Sequence, residues 1–276
     1  MAKIPPTKPI EHPAAMDARE VSKVLSEMSW LLTGLRMAGL RDVPRALLTD
    51  APSREVTVSS LEPAHGAPKP VSDDSPPEDA AAPTALGDLA LTGIRDDLGD
   101  CRRCRLHEGR THLVFGEGSP TAKLVFVGEG PGYDEDQQGR PFVGRAGKLL
   151  DKMIGALGRV RKEVYICNAV KCRPPGNRTP GADEIASCSP FLFRQLEAIH
   201  PDVICALGLT AAQTLLGGGI PMSRLRGRTH HWRGIPVVCT YHPAYLLRTP
   251  AQKAATWQDL LAVDRILRGQ TDATSR

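Results

Sequence analysis

From residue 124 onward, short and continuously apolar runs alternate with stretches of helical spacing. The runs fall at 124–129, 164–170, 203–208 and 237–241. Between and after them, 145–157, 183–199, 209–216 and 251–268 carry apolar residues three and four apart, as Ile185, Cys188, Leu192, Leu196 and Ile199 do. A strand that is apolar throughout belongs in a sheet covered on both faces. Repeated strand–helix units imply that this sheet is parallel and flanked by helices. The expected fold is therefore α/β, a three-layer α/β/α sandwich. Ligands should gather at the C-terminal strand ends. Those ends hold Gly128-Glu129, Asn168, Gly208 and Tyr241-His242-Pro243.

The first strand runs into Gly128, Gly130 and Gly132, then four acids: Glu129, Asp134, Glu135 and Asp136. Pro141-Phe142-Val143-Gly144 follows, and then a helix pattern. The glycine spacing does not match a dinucleotide fingerprint, and no Gly-Lys-Ser/Thr completes a phosphate loop. Acids stand where a phosphate would sit. A surface loop with solvated acids is the bland reading, but it leaves Phe142 unexplained in so polar a stretch.

Residues 1–90 carry 9 Lys+Arg against 13 Asp+Glu, and the remaining 186 carry 26 against 18. A basic body suits a polyanion such as nucleic acid. Within the extension, Val21, Val24, Leu25, Met28, Leu31, Leu32 and Leu35 space out one amphipathic helix over 17–40. It would dock on the body or on a partner such as a repair protein, or remain a loose tail. Residues 51–90 hold seven prolines and no aromatic residue, a composition that cannot offset chain entropy by burial. They read as a disordered linker, which sets the expected domain at 91–276. No apolar run has the length of a membrane span. The N-terminus lacks a signal-peptide pattern. The expectation is a soluble, cytoplasmic monomer.

The seven cysteines fall into two groups. Cys167, Cys205 and Cys239 lie inside apolar strands and read as buried thiols. Cys101 and Cys104 form a C-x2-C, Cys172 precedes Arg-Pro-Pro, and Cys188 opens a helix pattern. Four cysteines outside the strands suit one tetrathiolate site. Their spacing allows either zinc or a [4Fe–4S] cluster. Alternatively, Cys188 is a core residue of its helix.

Four ordered blocks together resemble the family 4 uracil-DNA glycosylases, the iron–sulfur branch of their superfamily. They are Gly128-Glu-Gly-Pro-Gly132; Glu135-Asp136 with Gly139-Arg-Pro-Phe-Val-Gly144; Tyr165-Ile-Cys-Asn-Ala-Val-Lys-Cys-Arg-Pro-Pro-Gly-Asn-Arg178; and Tyr241-His-Pro-Ala-Tyr-Leu-Leu-Arg248. The resemblance covers about residues 95–268. It implies a central four-stranded parallel sheet and a [4Fe–4S] cluster on Cys101, Cys104, Cys172 and Cys188. It implies excision of uracil from single- or double-stranded DNA.

The residue chemistry suits that reaction. A uracil must leave the base stack before its glycosidic bond can be reached. Phe142 offers a flat face to stack on. The Asn168 amide can donate to uracil O4 and accept from N3–H. Glu129 and the Gly130 backbone would line the same pocket. His242 can donate to O2 of the departing anion. The best-known branch of the superfamily has an aspartate at the position of Gly130 that positions water. No side chain does so here, so Glu135 becomes the candidate for placing water or countering sugar charge. Phosphate contacts are expected from Lys171, Arg173, Arg178, Arg226, Arg228 and Arg248. In this superfamily the loop after His242 enters the minor groove, which makes Leu246 or Leu247 the candidate wedge. A related branch captures DNA covalently through an inserted histidine-bearing loop. Pro174 to Thr179 is too short for that, so turnover is expected. Two other classes stay open: a non-catalytic iron–sulfur DNA-binding or adaptor module on the same fold, and a metal-dependent hydrolase using acids 134–136.

Overall fold

The computed structural model describes residues 83–270. The helix expected over 17–40 and most of the linker lie outside them. The first described element is helix α1 (Pro83–Leu98), which begins inside the stretch read as linker. Its Leu91, Ile94 and Leu98 recur at helical spacing and are buried. The folded unit therefore starts before residue 91. A proline at the first position of a helix loses no hydrogen bond, so the Pro-rich composition did not forbid it.

Six strands form one sheet in the order β1-β3-β2-β4-β6-β5. Strands β2 (Leu124–Gly128), β3 (Tyr165–Asn168), β4 (Val203–Leu207) and β6 (Ile235–Thr240) are the expected parallel core. Antiparallel strands β1 (Glu117–Gly118) and β5 (Thr229–Trp232) extend the two edges. Neither is expected from the sequence: β1 has two residues and no periodicity, and β5, Thr-His-His-Trp, holds no apolar run. The β5–β6 hairpin turns through Arg233 (φ 49°) and Gly234 (φ 85°), the paired left-handed conformation favoured in two-residue hairpin loops.

Alternate residues of each strand face opposite layers. Val125, Val127, Ile204, Ala206 and Val237 pack with α1, α4 (Ala182–Ile199) and α5 (Leu209–Leu216). Leu124, Phe126, Val203, Cys205, Leu207 and Val238 pack with α3 (Arg145–Ala156), α7 (Pro243–Arg248) and α8 (Lys253–Leu267). The short helices α2 (Tyr133–Gln138) and α6 (Met222–Leu225) complete the unit. This is the expected three-layer sandwich. From β2 the chain steps out to β3, then returns past β2 to β4 and on to β6. The connections thus part at the C-terminal ends of β2 and β4, which is where an open α/β sheet leaves a crevice. No helix among the described residues is long and apolar enough to cross a membrane.

Candidate active site

A cavity of about 490 Å³ opens at that crevice. Its wall is drawn from all four parallel strand ends: Glu129 and Gly130 after β2, Asn168 on β3, Gly208 after β4 and His242 after β6. Phe142 completes it from a loop and Glu135 from α2. Seven residues spread from 129 to 242 in the chain thus line one cavity.

Asn168 is 1% exposed, and its Oδ1 has no hydrogen-bond partner. A buried amide oxygen without a donor is costly unless a guest supplies one. The backbone behind it is held by Lys171, whose Nζ donates to the Asn168 carbonyl (2.9 Å) and to Gln195 Oε1. Gln195 is itself fixed through its Nε2 to the Phe115 carbonyl and the Tyr165 hydroxyl. Lys171 is fully buried, and burial pushes its pKa down. This overturns the reading of Lys171 as a phosphate contact. Its flexible stem turns inward because a buried acceptor set awaits it.

Phe142 lies against the strand end. A Cβ at Gly128 would stand 2.6 Å from the Phe142 ring and would strike Asn168 Oδ1, so only glycine leaves the cavity floor open. A Cβ at Gly130 would meet Val170 Cγ2 at 2.8 Å. Phe142 has φ of 52°, a left-handed conformation that is strained for a bulky residue. Two clamps hold it. Arg161 donates to the carbonyls of Phe142 (3.2 Å) and Pro141. Glu135 accepts from the N–H groups of Val143 (2.8 Å), Gly144 (2.9 Å) and Gly132 (3.1 Å). The Glu135 carboxylate is thus committed to backbone on both sides of Phe142. Sequence reading missed Arg161 altogether, because nothing near it in the chain points to residue 142.

His242 sits 5.6 Å from the Phe142 ring, centroid to centroid, with the planes tilted by 31°. It caps α7: its Nδ1 accepts from Ala244 N–H at 3.1 Å. A backbone N–H can only donate, so in the neutral ring the proton is on Nε2. Burial, aided by the nearby Arg248 guanidinium, lowers the His242 pKa to about 4. The ring is neutral at pH 7 and offers one donor. Glu129 accepts from the Thr210 hydroxyl on α5.

The cationic residues divide. Arg228, Arg248 and Leu247 are exposed and Arg173 is half-buried, whereas Leu246 is 1% exposed and cannot be a wedge. Leu246 falls on the inner face of α7. Arg226 is withdrawn from solvent: Nε and Nη2 meet Asp259 Oδ2 at 2.8 and 2.7 Å, and its guanidinium covers the Tyr241 ring at 4.1 Å. It braces the end of β6 and is not placed to meet phosphate. Arg178 gives both terminal nitrogens to the buried Glu184 at 2.8 and 2.6 Å, although it also borders the cavity.

The non-strand cysteines meet in one corner. Cys172 and Cys188 pack with Leu106 and Val170, and Cys104 lies against them. Arg110 bridges Cys172 Sγ (3.2 Å) and the Cys101 carbonyl (2.6 Å). Lys171 N–H donates to Cys188 Sγ at 3.2 Å, and Arg103 to Cys101 Sγ at 3.5 Å. Among the described residues, no three His, Cys, Asp or Glu side chains gather closely enough for one metal ion. Donors already converge on its sulfurs. Donors so placed suit thiolates that hold a metal centre.

A model of the uracil DNA glycosylase superfamily matches residues 115–261. The type-4 uracil-DNA glycosylase of Thermotoga maritima is 52% identical over 157 residues, covering 56% of this chain and 82% of that protein. That of Archaeoglobus fulgidus is 44% identical over 169 residues, covering 58% and 85%. That of Sulfurisphaera tokodaii is 45% identical over 170 residues, covering 58% and 77%. The cavity, its glycine floor and its asparagine and histidine all lie within the matched stretch, and the chain belongs to the type-4 uracil-DNA glycosylases of the uracil DNA glycosylase superfamily.

Proposed function

We propose that the protein repairs DNA by taking uracil into the strand-end cavity and hydrolysing its N-glycosidic bond, leaving an abasic site. The observation that carries this is the unpaired Asn168 Oδ1 in the cavity wall. Uracil presents a donor at N3 and an acceptor at O4 side by side, and one amide satisfies both. Phe142 stacks on the base, and Glu129 with the Gly130 backbone lines the pocket.

The C1′–N1 bond breaks with its electron pair moving to the base, and water adds at C1′. Charge accumulates on uracil O2 only as the bond breaks, so a donor aimed there lowers the barrier. His242 Nε2–H supplies it, for about 3–4 kcal/mol by analogy with other oxyanion donors. A neutral ring on a rigid helix cap needs no rearrangement to do so. Glu135 acts as a positioning residue for Phe142, since its oxygens serve the backbone. With no side chain at Gly130, the barrier is lowered chiefly at the leaving group.

Cys101, Cys104, Cys172 and Cys188 are assigned to a [4Fe–4S] cluster, with Arg110 and the Lys171 N–H facing its thiolates. Held by these four residues, such a group would tie the loop that follows Asn168 to α4 and to the C-x2-C turn. Arg173, Arg228 and Arg248 meet phosphates, and Leu247 enters the groove of duplex substrates. An adaptor without catalysis would not require an unpaired amide beside a neutral histidine.

The test is incubation of purified, cluster-loaded protein with an end-labelled oligonucleotide carrying one uracil, without added metal. Alkali then cleaves any abasic site. A break at the uracil position is expected. An intact strand would overturn the reading.

A further inference from the structure

Tyr133 is the one large aromatic left mostly open among the described residues, 57% exposed at the first position of α2. It follows Pro131 and Gly132, which line the cavity, but is not itself part of the wall. One face of its ring is taken: the Arg173 guanidinium lies over it at 5.1 Å from the centroid. Arg173 is fixed in turn, its Nε donating to Asn177 Oδ1 at 2.7 Å. Asn177 borders the cavity and is held in a left-handed turn (φ 56°). An exposed aromatic would normally gain by folding down onto apolar neighbours. Here a cation stands behind the ring, steadies it and leaves the other face open beside the cavity mouth.

Resting on the uracil-excision reading, we propose that Tyr133 is a stacking platform for a nucleobase flanking the extruded uracil, with Arg173 as its brace and as a phosphate contact. A base loses a stacking neighbour when the adjacent nucleotide leaves the helix, and a fixed aromatic face replaces that neighbour. Stacking on an aromatic is tolerant of base identity, because every base has a π-face. The subsite therefore adds grip on the strand without adding sequence preference. It also gives single-stranded substrates a second hold, where no complementary strand keeps the flanking base in place.

Steady-state excision from a single-stranded uracil oligonucleotide tests this in Tyr133→Ala, Tyr133→Trp and wild type, with inhibition by free uracil measured alongside. Loss of one base stack should raise KM for Tyr133→Ala about tenfold. Tyr133→Trp should restore it. Free uracil fills only the cavity, so its inhibition constant should not move. The slope of log KM against log salt should also hold in Tyr133→Ala, whereas Arg173→Gln should lower it by about one phosphate contact. An unchanged KM in Tyr133→Ala would overturn the proposal. So would a tenfold loss accompanied by equally weakened uracil inhibition, which would place Tyr133 in the pocket. If wild type itself releases no uracil, the excision reading fails first, and that outcome is separate from both.

Discussion

The uracil cavity and the cysteine corner lie at the two ends of one short segment, Asn168 to Cys172, yet they are prepared in opposite ways. The cavity is held by the chain's own contacts. Lys171 fixes the Asn168 backbone, Arg161 and Glu135 fix Phe142, and the α7 cap fixes His242. One acceptor is left open for the guest. In the corner, donors point at the Cys172 and Cys188 thiols, whose pKa values burial raises, that of Cys188 to about 11. A bound cationic centre would reverse that shift and deprotonate the thiols outright. The cavity waits for a substrate, whereas the corner would be completed by the proposed cluster. Lys171 joins the two, its N–H serving Cys188 and its Nζ serving Asn168.

The contrast can be broken most forcefully from the corner. Cys188→Ala should bleach the visible absorbance of the cluster and lower Tm by about 10 °C, since losing a structural metal centre costs several kcal/mol and each shifts Tm by roughly 2–4 °C at this size. Calorimetry with absorbance decides. A Tm within about 2 °C of wild type would mean that the corner stands by itself as the cavity does.

His242→Ala tests the cavity with less effect on the fold. It should reduce kcat by about 10²–10³-fold and leave uracil affinity nearly intact, because the lost donor acts on charge that develops in the transition state. The pH profile sharpens the point. The His242 pKa is depressed from 6.5 to about 4, so the fold favours the neutral ring. The stability this contributes is full above pH 6.5 and is lost as pH falls toward 4. In wild type, kcat should therefore show no limb near pH 6.5. A fall of activity centred there would mean that the ring is not desolvated.

Arg161→Gln should have the smallest effect, about tenfold in kcat and about 1–2 kcal/mol of stability. It frees the Phe142 backbone from a conformation costing about 1–3 kcal/mol without removing any group that touches the base. Stopped kinetics and a denaturant titration measure the two. Equal losses in Arg161→Lys would show that the forked geometry is what counts.

Much of this is legible in the sequence. The four apolar runs are buried parallel strands because polar residues enter the strands only at their C-terminal ends, and those ends are where Asn168, Glu129 and His242 had to converge. What escaped notice depends on partners distant in sequence. Lys171 reads as surface in a basic loop, yet it is buried because Gln195 and the Asn168 carbonyl wait for it. Arg226 reads as a phosphate contact until Asp259, on another helix, claims it. Glu135 reads as a free acid, but three backbone donors around a strained phenylalanine consume its oxygens. Strand β1 is too short to carry any pattern. Helix α1 hid in a Pro-rich stretch because composition averages over windows wider than its first turn.

The central claim is that the open Asn168 oxygen is the uracil reader. Single-turnover excision from one uracil oligonucleotide, with cluster-loaded wild type and Asn168→Ala at matched folding, tests it most directly. A site built to hydrogen-bond its substrate loses on the order of 10³-fold or more when that pairing is removed, and such a fall is predicted. A rate within about tenfold of wild type would contradict the account and leave the unpaired oxygen without a function.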